Sequence, residues 1–406
     1  MKLLVDYAAH PAFRDLVLPG GRNLVQARTY FDALDDAWRE SLAAPVDGLR
    51  RFEQVQENQV RKLTDALAPW ISVEYLAHVN QALRVSATAI HREITQIHAL
   101  RHAVPPREKA IEAIRQSLVD TGVAGFQMNA AALARLNAAL APYRAVLQEQ
   151  RRSNGGARCF VVPPSKGEHW QIMKSFLREQ RIEEAISAYA GYPLELEGYA
   201  FTYSHADEDW YRKCYLDLSL HAPRTVQMHY DEDNLSAKSM FYLDDVEASN
   251  GAFSYVAAGR AEIASRSQLA YFKYLDYANN EFAVARGVPE TSYNRPLFIT
   301  PAMRGEFARL PAEMQGSGGP GDDILNGTPL SDFLIASERR LVGPAGYLAL
   351  FAGGETLHRG GVIETGERFA LQMIYKAPPS VAQRASRYLR SLRTALPRLT
   401  SRLRDA

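Results

Sequence analysis

Several features that would place the chain in a specialised class of protein are scarce in its sequence. Only two of the 406 residues are cysteines, Cys159 and Cys214, and because they lie far apart we expect free thiols in a reducing compartment, not a disulfide framework. A charge excess is also lacking, since 47 basic residues face 46 acidic ones. No overall field draws the chain to nucleic acid or to an anionic membrane, and we expect no nucleic-acid partner.

Long hydrophobic runs are scarce as well. Lys2 is followed by only three apolar residues before Asp6, which is too short a run for a signal peptide. No other stretch approaches the roughly 18 apolar residues of a transmembrane segment. The sequence therefore predicts a cytoplasmic protein without a transmembrane segment. Its 47% hydrophobic content is enough for at least one substantial core.

The first part of the chain has the spacing of amphipathic helices. Apolar residues recur at three- and four-residue steps along two stripes: Leu49, Phe52, Val60, Leu63 and Leu67, then Leu76, Val79, Leu83, Ala87, Ile90, Ile94 and Ile97. Pro105 and Pro106 end the pattern. We predict an N-terminal helical domain over residues 1–105. Each stripe needs a partner surface, which another helix or a second copy of the chain, in a homodimer, can supply.

After residue 105 the sequence changes to a strand-rich pattern. A helix, a short apolar strand from Val123 and a second helix capped by Asn129 come first. Alternating apolar and polar residues then predict strands at residues 194–203, 214–228, 239–243, 252–256, 347–351 and 369–375. Many strands with few helices between them indicate an α+β fold around a barrel or sandwich of Greek-key or jelly-roll type, over residues 106–380.

Two further segments interrupt or follow the strands. A mixed insertion at residues 260–345 contains the glycine-rich stretch 315–321, which is either a lid or a tolerated surface loop. Residues 381–406 combine a leucine-rich stripe with seven arginines and predict a basic amphipathic C-terminal helix. That helix either packs on the core, contacts a membrane surface, or docks to an anionic molecule or partner subunit.

Two histidines and one carboxylate make a mononuclear iron site that leaves positions open for other ligands. His229 and Asp231 stand two residues apart at a predicted strand end, so both side chains point the same way. A second such pair, His205 and Asp207, follows another predicted strand. We prefer His229 and Asp231 because the strand and the turn at Asn250 that follow them form a hairpin able to close one wall of a barrel.

The third candidate ligand, His358, lies in a glycine-rich turn near the C-terminal end of the strand-rich region. Arg368 begins a strand ten residues later, and a strand, a turn and a returning strand bring the two side chains close. Arg368 can then form a bidentate pair with the far carboxylate of a five-carbon diacid whose other end chelates the metal.

In combination these features resemble the phytanoyl-CoA dioxygenase-like group of Fe(II)/2-oxoglutarate oxygenases. The resemblance covers residues 112–376 and rests on the turn and strand at 122–126, the pair at 229 and 231, the strand end at 241–245, Asn250-Gly251, and His358 with Arg368. It implies a double-stranded β-helix, a jelly-roll or cupin-like barrel with flanking helices. It also implies that His229, Asp231 and His358 bind Fe(II) and that Arg368 anchors 2-oxoglutarate.

The resemblance implies a dioxygenase that uses O2 to hydroxylate a C–H bond of a small-molecule substrate, with release of succinate and CO2. The presence of Asp231 argues against a halogenase, because related halogenases lack this carboxylate. By strand alternation Gln227 shares the face of His229 and Gln372 that of Arg368, so both are candidates for the cofactor pocket. Residues 258–260, the insertion and the N-terminal helices depart from the family pattern, so the substrate is not predicted.

Three alternatives stay open at this point. One is a metal-dependent enzyme of cupin type that does not use 2-oxoglutarate, and another is a non-catalytic binding module that presents its N- or C-terminal helices to a partner. The third concerns His91, His98 and His102, which share a helix face and form either a second metal site or polar positions at a seam between helices.

Overall fold

The computed structural model describes residues 23–100, 108–153, 159–206, 228–231, 236–257, 264–285, 301–316, 329–361, 363 and 365–378. The predicted C-terminal helix, Gln227, Cys214 and nearly all of the predicted strand 214–228 lie outside these residues.

The helices in the described residues are α1 (Val25–Ala43), α2 (Pro45–Leu67), α3 (Val73–Leu100), α4 (Lys109–Thr121), α5 (Ala130–Ser153), α6 (Glu168–Glu179), α7 (Ile182–Ala190), α8 (Arg266–Val284), α9 (Pro301–Ala308) and α10 (Pro329–Ser337). The strands are β1 (Val123–Gln127), β2 (Cys159–Val161), β3 (Glu195–His205), β4 (Ser236–Tyr242), β5 (Phe253–Val256), β6 (Glu338–Leu341), β7 (Tyr347–Phe351), β8 (His358–Arg359) and β9 (Glu367–Lys376).

Many of these elements match the sequence predictions closely. Strand β7 has the predicted bounds, and β3, β4, β5 and β9 overlap their predicted strands. Gly122 ends α4 in the left-handed conformation, and the side chain of Asn129 accepts a hydrogen bond from the backbone N–H of Ala132 at the start of α5, as predicted. None of the described helices is both long and apolar enough to span a bilayer.

The predicted apolar stripes of α2 and α3 are buried within the chain, except that Leu49 and Leu76 are half-buried. Part of their partner surface is α8, which belongs to the predicted insertion. The ring of Phe282 on α8 lies 5.2 Å from that of Tyr75 on α3, and the hydroxyl of Tyr75 donates to Asn279 at 2.9 Å. On α1, Phe31 packs against Tyr271 of α8 at 5.6 Å. One segment of the insertion therefore packs among the N-terminal helices. A homodimer contact through those helices stays a prediction.

The strands form two antiparallel sheets. The larger has the order β1-β7-β4-β9-β3-β2 and the smaller the order β6-β5-β8. The described strands do not close into one barrel, so the structure is a mixture of helices and two antiparallel sheets, and the closed barrel expected from the sequence is not seen in them.

Alternation along the strands gives the larger sheet two different faces. Its outer face carries Phe241, Leu371 and Met373, which join the main core with helices α4–α7. Its inner face carries Phe351, which packs on Phe253 of the smaller sheet with ring centroids 4.6 Å apart. Side chains on the inner face of β4 therefore point into the space between the two sheets, and the metal-binding candidates lie at the edge of that space.

Candidate metal centre

The structure brings the three predicted ligands together. One potential ligand atom each of His229, Asp231 and His358 lies within 4.8 Å of the others, and both histidines are buried. Residues 228–231 pair with β8 through reciprocal backbone hydrogen bonds: the N–H of His229 donates to the carbonyl of His358 at 2.9 Å, and the N–H of His358 donates back at 3.1 Å. Neighbouring strands thus hold the two imidazoles side by side, although the histidines are 129 residues apart.

The ring of His358 is fixed by its surroundings. Its Nδ1 lies 2.8 Å from the backbone carbonyl of Thr356, which identifies Nδ1 as the donor and leaves Nε2 as the atom directed at Asp231. The rings of Phe351 and Phe253 pack on it with centroids 4.8 and 5.6 Å away. Burial lowers the pKa of His358, which favours the neutral imidazole that a metal ion requires.

Asp231 is held by contacts on its backbone and on one of its two carboxylate oxygens. Its N–H donates to the carbonyl of Gly353 at 2.8 Å, and its own carbonyl accepts a hydrogen bond from Lys273 of α8. Oδ1 accepts a hydrogen bond from Nζ of Lys238 at 2.6 Å. Oδ2 is buried, lies 3.8 Å from Nε2 of His358, and has no hydrogen-bond partner among the described residues. One oxygen is therefore occupied and the other faces the histidine.

Burial alone would raise the pKa of Asp231, but electrostatic interactions with His358, Lys238 and His229 and the hydrogen bond from Lys238 together lower it to about 2. The group is thus a carboxylate at neutral pH.

The arrangement has the chemistry of a metal site. It presents two imidazoles and one carboxylate on one side, a donor set that suits a first-row divalent ion with open positions. A buried carboxylate oxygen without a hydrogen-bond donor is costly unless a cation neutralises it, so Oδ2 of Asp231 fits a metal ion. The carboxylate packs closely against Gly353, and a Cβ added at Gly353 would overlap Oδ2.

Arg368 lies on the inner face of β9 and is buried. One terminal nitrogen donates to the backbone carbonyl of Gly251, and Nε has no hydrogen-bond partner among the described residues. Gly251 is two residues before Phe253, whose ring packs on His358. Two residues of chain span at most about 7 Å, so Arg368 and the metal centre belong to one region of the space between the sheets.

The two glutamines predicted beside the ligands have different outcomes. Gln227 lies outside the described residues. Gln372 is half-buried on β9, opposite Ala200 of β3 and Met240 of β4, and shares its strand face with Arg368. Its place in a cofactor pocket stays a prediction.

The rival motif is placed differently. His205 ends β3 in register with Glu367, and alternation puts it on the opposite face from Ser204, the residue paired with Arg368. Its partner Asp207 lies outside the described residues. On α3, the ring of His91 lies 5.9 Å from Phe52 of α2, as expected at a seam between helices, while His102 is not described. Among the described residues only the 229, 231 and 358 group has the proximity of a metal site.

Two lysines at the site were missed by sequence analysis. Lys238 was the easier to find, because it comes directly before the predicted strand 239–243 and seven residues after Asp231. Lys273 gave no usable signal, since its approach to the carbonyl of Asp231 depends on how α8 packs.

A buried ionic cluster ties the helices to the segment between β7 and β8. Arg266 of α8 donates to Glu93 of α3 and to Glu355, and its guanidinium carbon lies 3.7 Å from the ring centroid of Trp38 on α1. Glu355 also accepts a hydrogen bond from the hydroxyl of Tyr189 at 2.9 Å. Since Glu355 stands between Gly353 and His358, this cluster anchors the loop that shapes the metal centre.

A cavity of about 180 Å³ lies beside the ionic cluster. Trp38 and Tyr189 line it on the helical side and Ala237 on the strand side. Ala237 points to the outer face of β4, whereas its neighbour Lys238 points inward to Asp231. The cavity is therefore behind the metal centre and does not face the ligands.

No family model and no curated protein match the chain. Solved structures give distant similarity. The epimerase SnoN, in complex with Fe3+, alpha ketoglutarate and nogalamycin RO, is 13% identical with a TM-score of 0.36, covering 66% of this chain and 84% of that chain. AviO1 from Streptomyces viridochromogenes is 13% identical with a TM-score of 0.34, and the match covers 68% of this chain and 98% of that chain. HygX from Streptomyces hygroscopicus, with nickel and 2-oxoglutarate bound, is 12% identical with a TM-score of 0.33, and the match covers 67% of this chain and 88% of that chain. Similarity at these TM-scores does not define the fold or the function of this chain.

Proposed function

We propose that the protein is an Fe(II)- and 2-oxoglutarate-dependent oxygenase that oxidises a small organic substrate, with His229, Asp231 and His358 as the iron ligands. The convergence of these three buried side chains, with their potential ligand atoms within 4.8 Å of one another, carries the proposal. The phytanoyl-CoA dioxygenase-like family is the resemblance that the sequence offers for it.

The path of the chain supports a double-stranded β-helix as the architecture. After β3 in the larger sheet, the chain passes to the 228–231 segment beside β8, returns for β4, crosses for β5 and β6, and then alternates through β7, β8 and β9. Repeated crossing between two facing antiparallel sheets is the topology of jelly-roll folds. It places His229 and His358 next to each other in the smaller sheet and Arg368 on the sheet opposite.

The ligands supply what the iron would need from the protein. Two neutral imidazoles and one carboxylate leave part of the coordination sphere free for a chelating cosubstrate and O2. The bond from Nδ1 of His358 to the Thr356 carbonyl orients Nε2, and the packing around Gly353 orients the carboxylate of Asp231. With iron, 2-oxoglutarate and O2 bound, the centre supplies oxidising power for a C–H bond, with succinate and CO2 as coproducts.

Arg368 is the residue we assign to the far carboxylate of 2-oxoglutarate. It is a buried cation on the inner face of β9, and its Nε, which has no partner among the described residues, is a donor available to an anion. Guanidinium groups recognise carboxylates through paired charge-assisted hydrogen bonds. Gln372, two residues further along the same face, is proposed to line the same pocket. Hydroxylation is the outcome we propose for the substrate.

The iron ligands are tested by replacing a histidine of each motif. With Fe(II), ascorbate and 2-oxoglutarate, the unmodified protein should form succinate, and His229→Ala should abolish both succinate formation and metal binding. The matched variant His205→Ala should keep metal binding, because His205 lies on the other face of its sheet. The reverse result would overturn the choice of motif.

The cosubstrate is tested by Arg368→Met. The apparent affinity for 2-oxoglutarate should fall by at least about tenfold, the loss expected for one charged hydrogen bond, while Mn(II) affinity measured by calorimetry changes little. An unchanged requirement for 2-oxoglutarate would remove the assigned role. Metal binding by the unmodified protein without 2-oxoglutarate binding would indicate an enzyme of cupin type, and no metal binding at all would indicate a non-catalytic module.

A further inference from the structure

Lys238 lies on the inner face of β4, with Phe351 and Ile374 as its partners on the two neighbouring strands. Its side chain is 20% exposed, and its ammonium nitrogen lies 2.6 Å from Oδ1 of Asp231. A lysine at the centre of a six-stranded sheet, pointing inward at a candidate metal ligand, is not required for the packing of the sheet, since an apolar residue would fill this position at a lower desolvation cost.

The contact occupies only one of the two oxygens of the Asp231 carboxylate. Lys238 takes Oδ1, and Oδ2 stays free of hydrogen bonds among the described residues and faces His358. The ammonium therefore does not block the oxygen proposed for iron, and instead adds a fixed positive charge close to the metal position. Two further cations among the described residues of this region donate to backbone carbonyls, Lys273 to that of Asp231 and Arg368 to that of Gly251.

A fixed charge at this position acts in opposite directions on two binding steps. It repels a divalent ion that arrives alone and competes with it for Asp231. It attracts an anion that binds to the metal, because the anion lies near both positive charges at once. The net effect is a centre that binds a metal ion carrying an anion more tightly than it binds the metal ion alone.

We propose that Lys238 is a specificity-determining residue that makes the metal centre select for a carboxylate bound directly to the metal, namely the metal-chelating end of a 2-oxo acid. The proposal rests on the proposed function and deepens it by dividing the recognition of 2-oxoglutarate between two cations. Lys238 acts on the carboxylate at the metal, and Arg368 acts on the carboxylate at the far end.

The test measures binding, without turnover, in the full-length protein. Mn(II) affinity is measured by calorimetry, and then the affinity of the Mn(II)-loaded protein for 2-oxoglutarate and for 2-oxobutyrate, which lacks the far carboxylate. In Lys238→Met we expect Mn(II) to bind as tightly as before or more tightly, and both 2-oxo acids to bind about tenfold more weakly or worse. In Arg368→Met only 2-oxoglutarate should weaken. Lys238→Arg should restore most of the affinity for both acids.

Lys376→Met is the matched control, because Lys376 is on the neighbouring strand and forms a half-exposed pair with Glu197. It should change none of the affinities. Lys238→Gln provides a second neutral variant if Lys238→Met does not fold. The proposal is overturned if the neutral Lys238 variant weakens Mn(II) and the acids alike, as a merely structural residue would, or if it changes neither. If the unmodified protein binds neither Mn(II) nor 2-oxo acids, the proposed function itself fails.

Discussion

At the scale of single residues, Gly353 is a position where the metal centre has no room for a side chain. The carbonyl of Gly353 accepts the N–H of Asp231, and a Cβ at this position would overlap Oδ2. We expect Gly353→Ala to displace the carboxylate and to lower Mn(II) affinity by about 10- to 100-fold, the range seen when groups that orient metal ligands are altered. Calorimetric titration with Mn(II) measures the effect.

Gly305→Ala is the control for that substitution. Gly305 lies in α9, and a Cβ added there meets nothing within 4 Å. Because alanine is the better helix former, this variant should be neutral or stabilise the protein by up to about 1 kcal/mol. Equal loss of metal affinity in both variants would contradict the role given to Gly353.

His358 should make the stability of the metal-free protein depend on pH. Burial lowers its pKa below the ordinary value of 6.5, so the unfolded chain binds a proton there more readily than the folded one. Its contribution to the free energy of unfolding is full above pH 6.5 and is lost as the pH falls toward the lower folded pKa. Asp231, whose pKa is lowered from 3.8 to about 2, adds a second loss between those values.

The measurement is urea denaturation with a chelator present at pH 7 and pH 5.5. His358 alone can contribute a slope of at most about 1.4 kcal/mol per pH unit, and His358→Gln should have a flatter dependence than the unmodified protein. Equal slopes would show that His358 is not protonated on unfolding in this range.

At the scale of elements, the ionic cluster around Arg266 joins α1, α3 and α8 to the loop before β8. Arg266 is nearly buried and forms ion pairs with Glu93 and Glu355. Arg266→Met would leave both carboxylates without their guanidinium, and we expect the free energy of unfolding to fall by about 3–5 kcal/mol, as for a broken buried pair. Chemical denaturation at neutral pH provides the measurement.

An exposed arginine on the same helical layer gives the comparison. Arg39 on α1 pairs with Asp36 at 2.9 Å, with 71% of its side chain exposed. Arg39→Met should change the free energy of unfolding by less than about 1 kcal/mol. A similar small effect for Arg266→Met would mean that the loop before β8 does not depend on the cluster.

At the scale of the whole molecule, α8 connects the N-terminal helices with the metal centre. It packs on α3 through Phe282 and Asn279, and Lys273 in the same helix bonds to Asp231. We therefore expect one cooperative thermal transition that includes both the helical layer and the sheets. The unfolding transitions monitored by far-UV and by near-UV circular dichroism should coincide. Two separate transitions would favour an N-terminal domain that folds independently.

Metal binding should stabilise that single unit. Mn(II) at about 100 times its Kd should add about 2.7 kcal/mol to the free energy of unfolding and raise the Tm, and chelation should reverse the change. His229→Ala should have no metal-dependent shift. A shift that persists in this variant would place the bound metal elsewhere.

Local sequence patterns determined much of this protein. Apolar periodicity predicted α2 and α3, and alternation predicted β3, β4, β7 and β9. Gly122 predicted the end of α4, and Asn129 predicted the start of α5. Each of these features depends on neighbours a few residues away in the chain. The pair His229 and Asp231 was likewise readable, since two residues two apart on a strand share a face.

What only the tertiary structure decided was which distant groups meet. That His229 and His358 are hydrogen-bonded neighbours, that Lys238 takes one oxygen of Asp231, and that α8 brings Lys273 and Arg266 to the site all depend on sheet order and helix packing. These contacts join residues 7 to 173 positions apart in the chain, and no local pattern encodes them. The sequence therefore supplied the candidate ligands, while the packing of α8 and the two sheets supplied the charges and the close contacts that surround them.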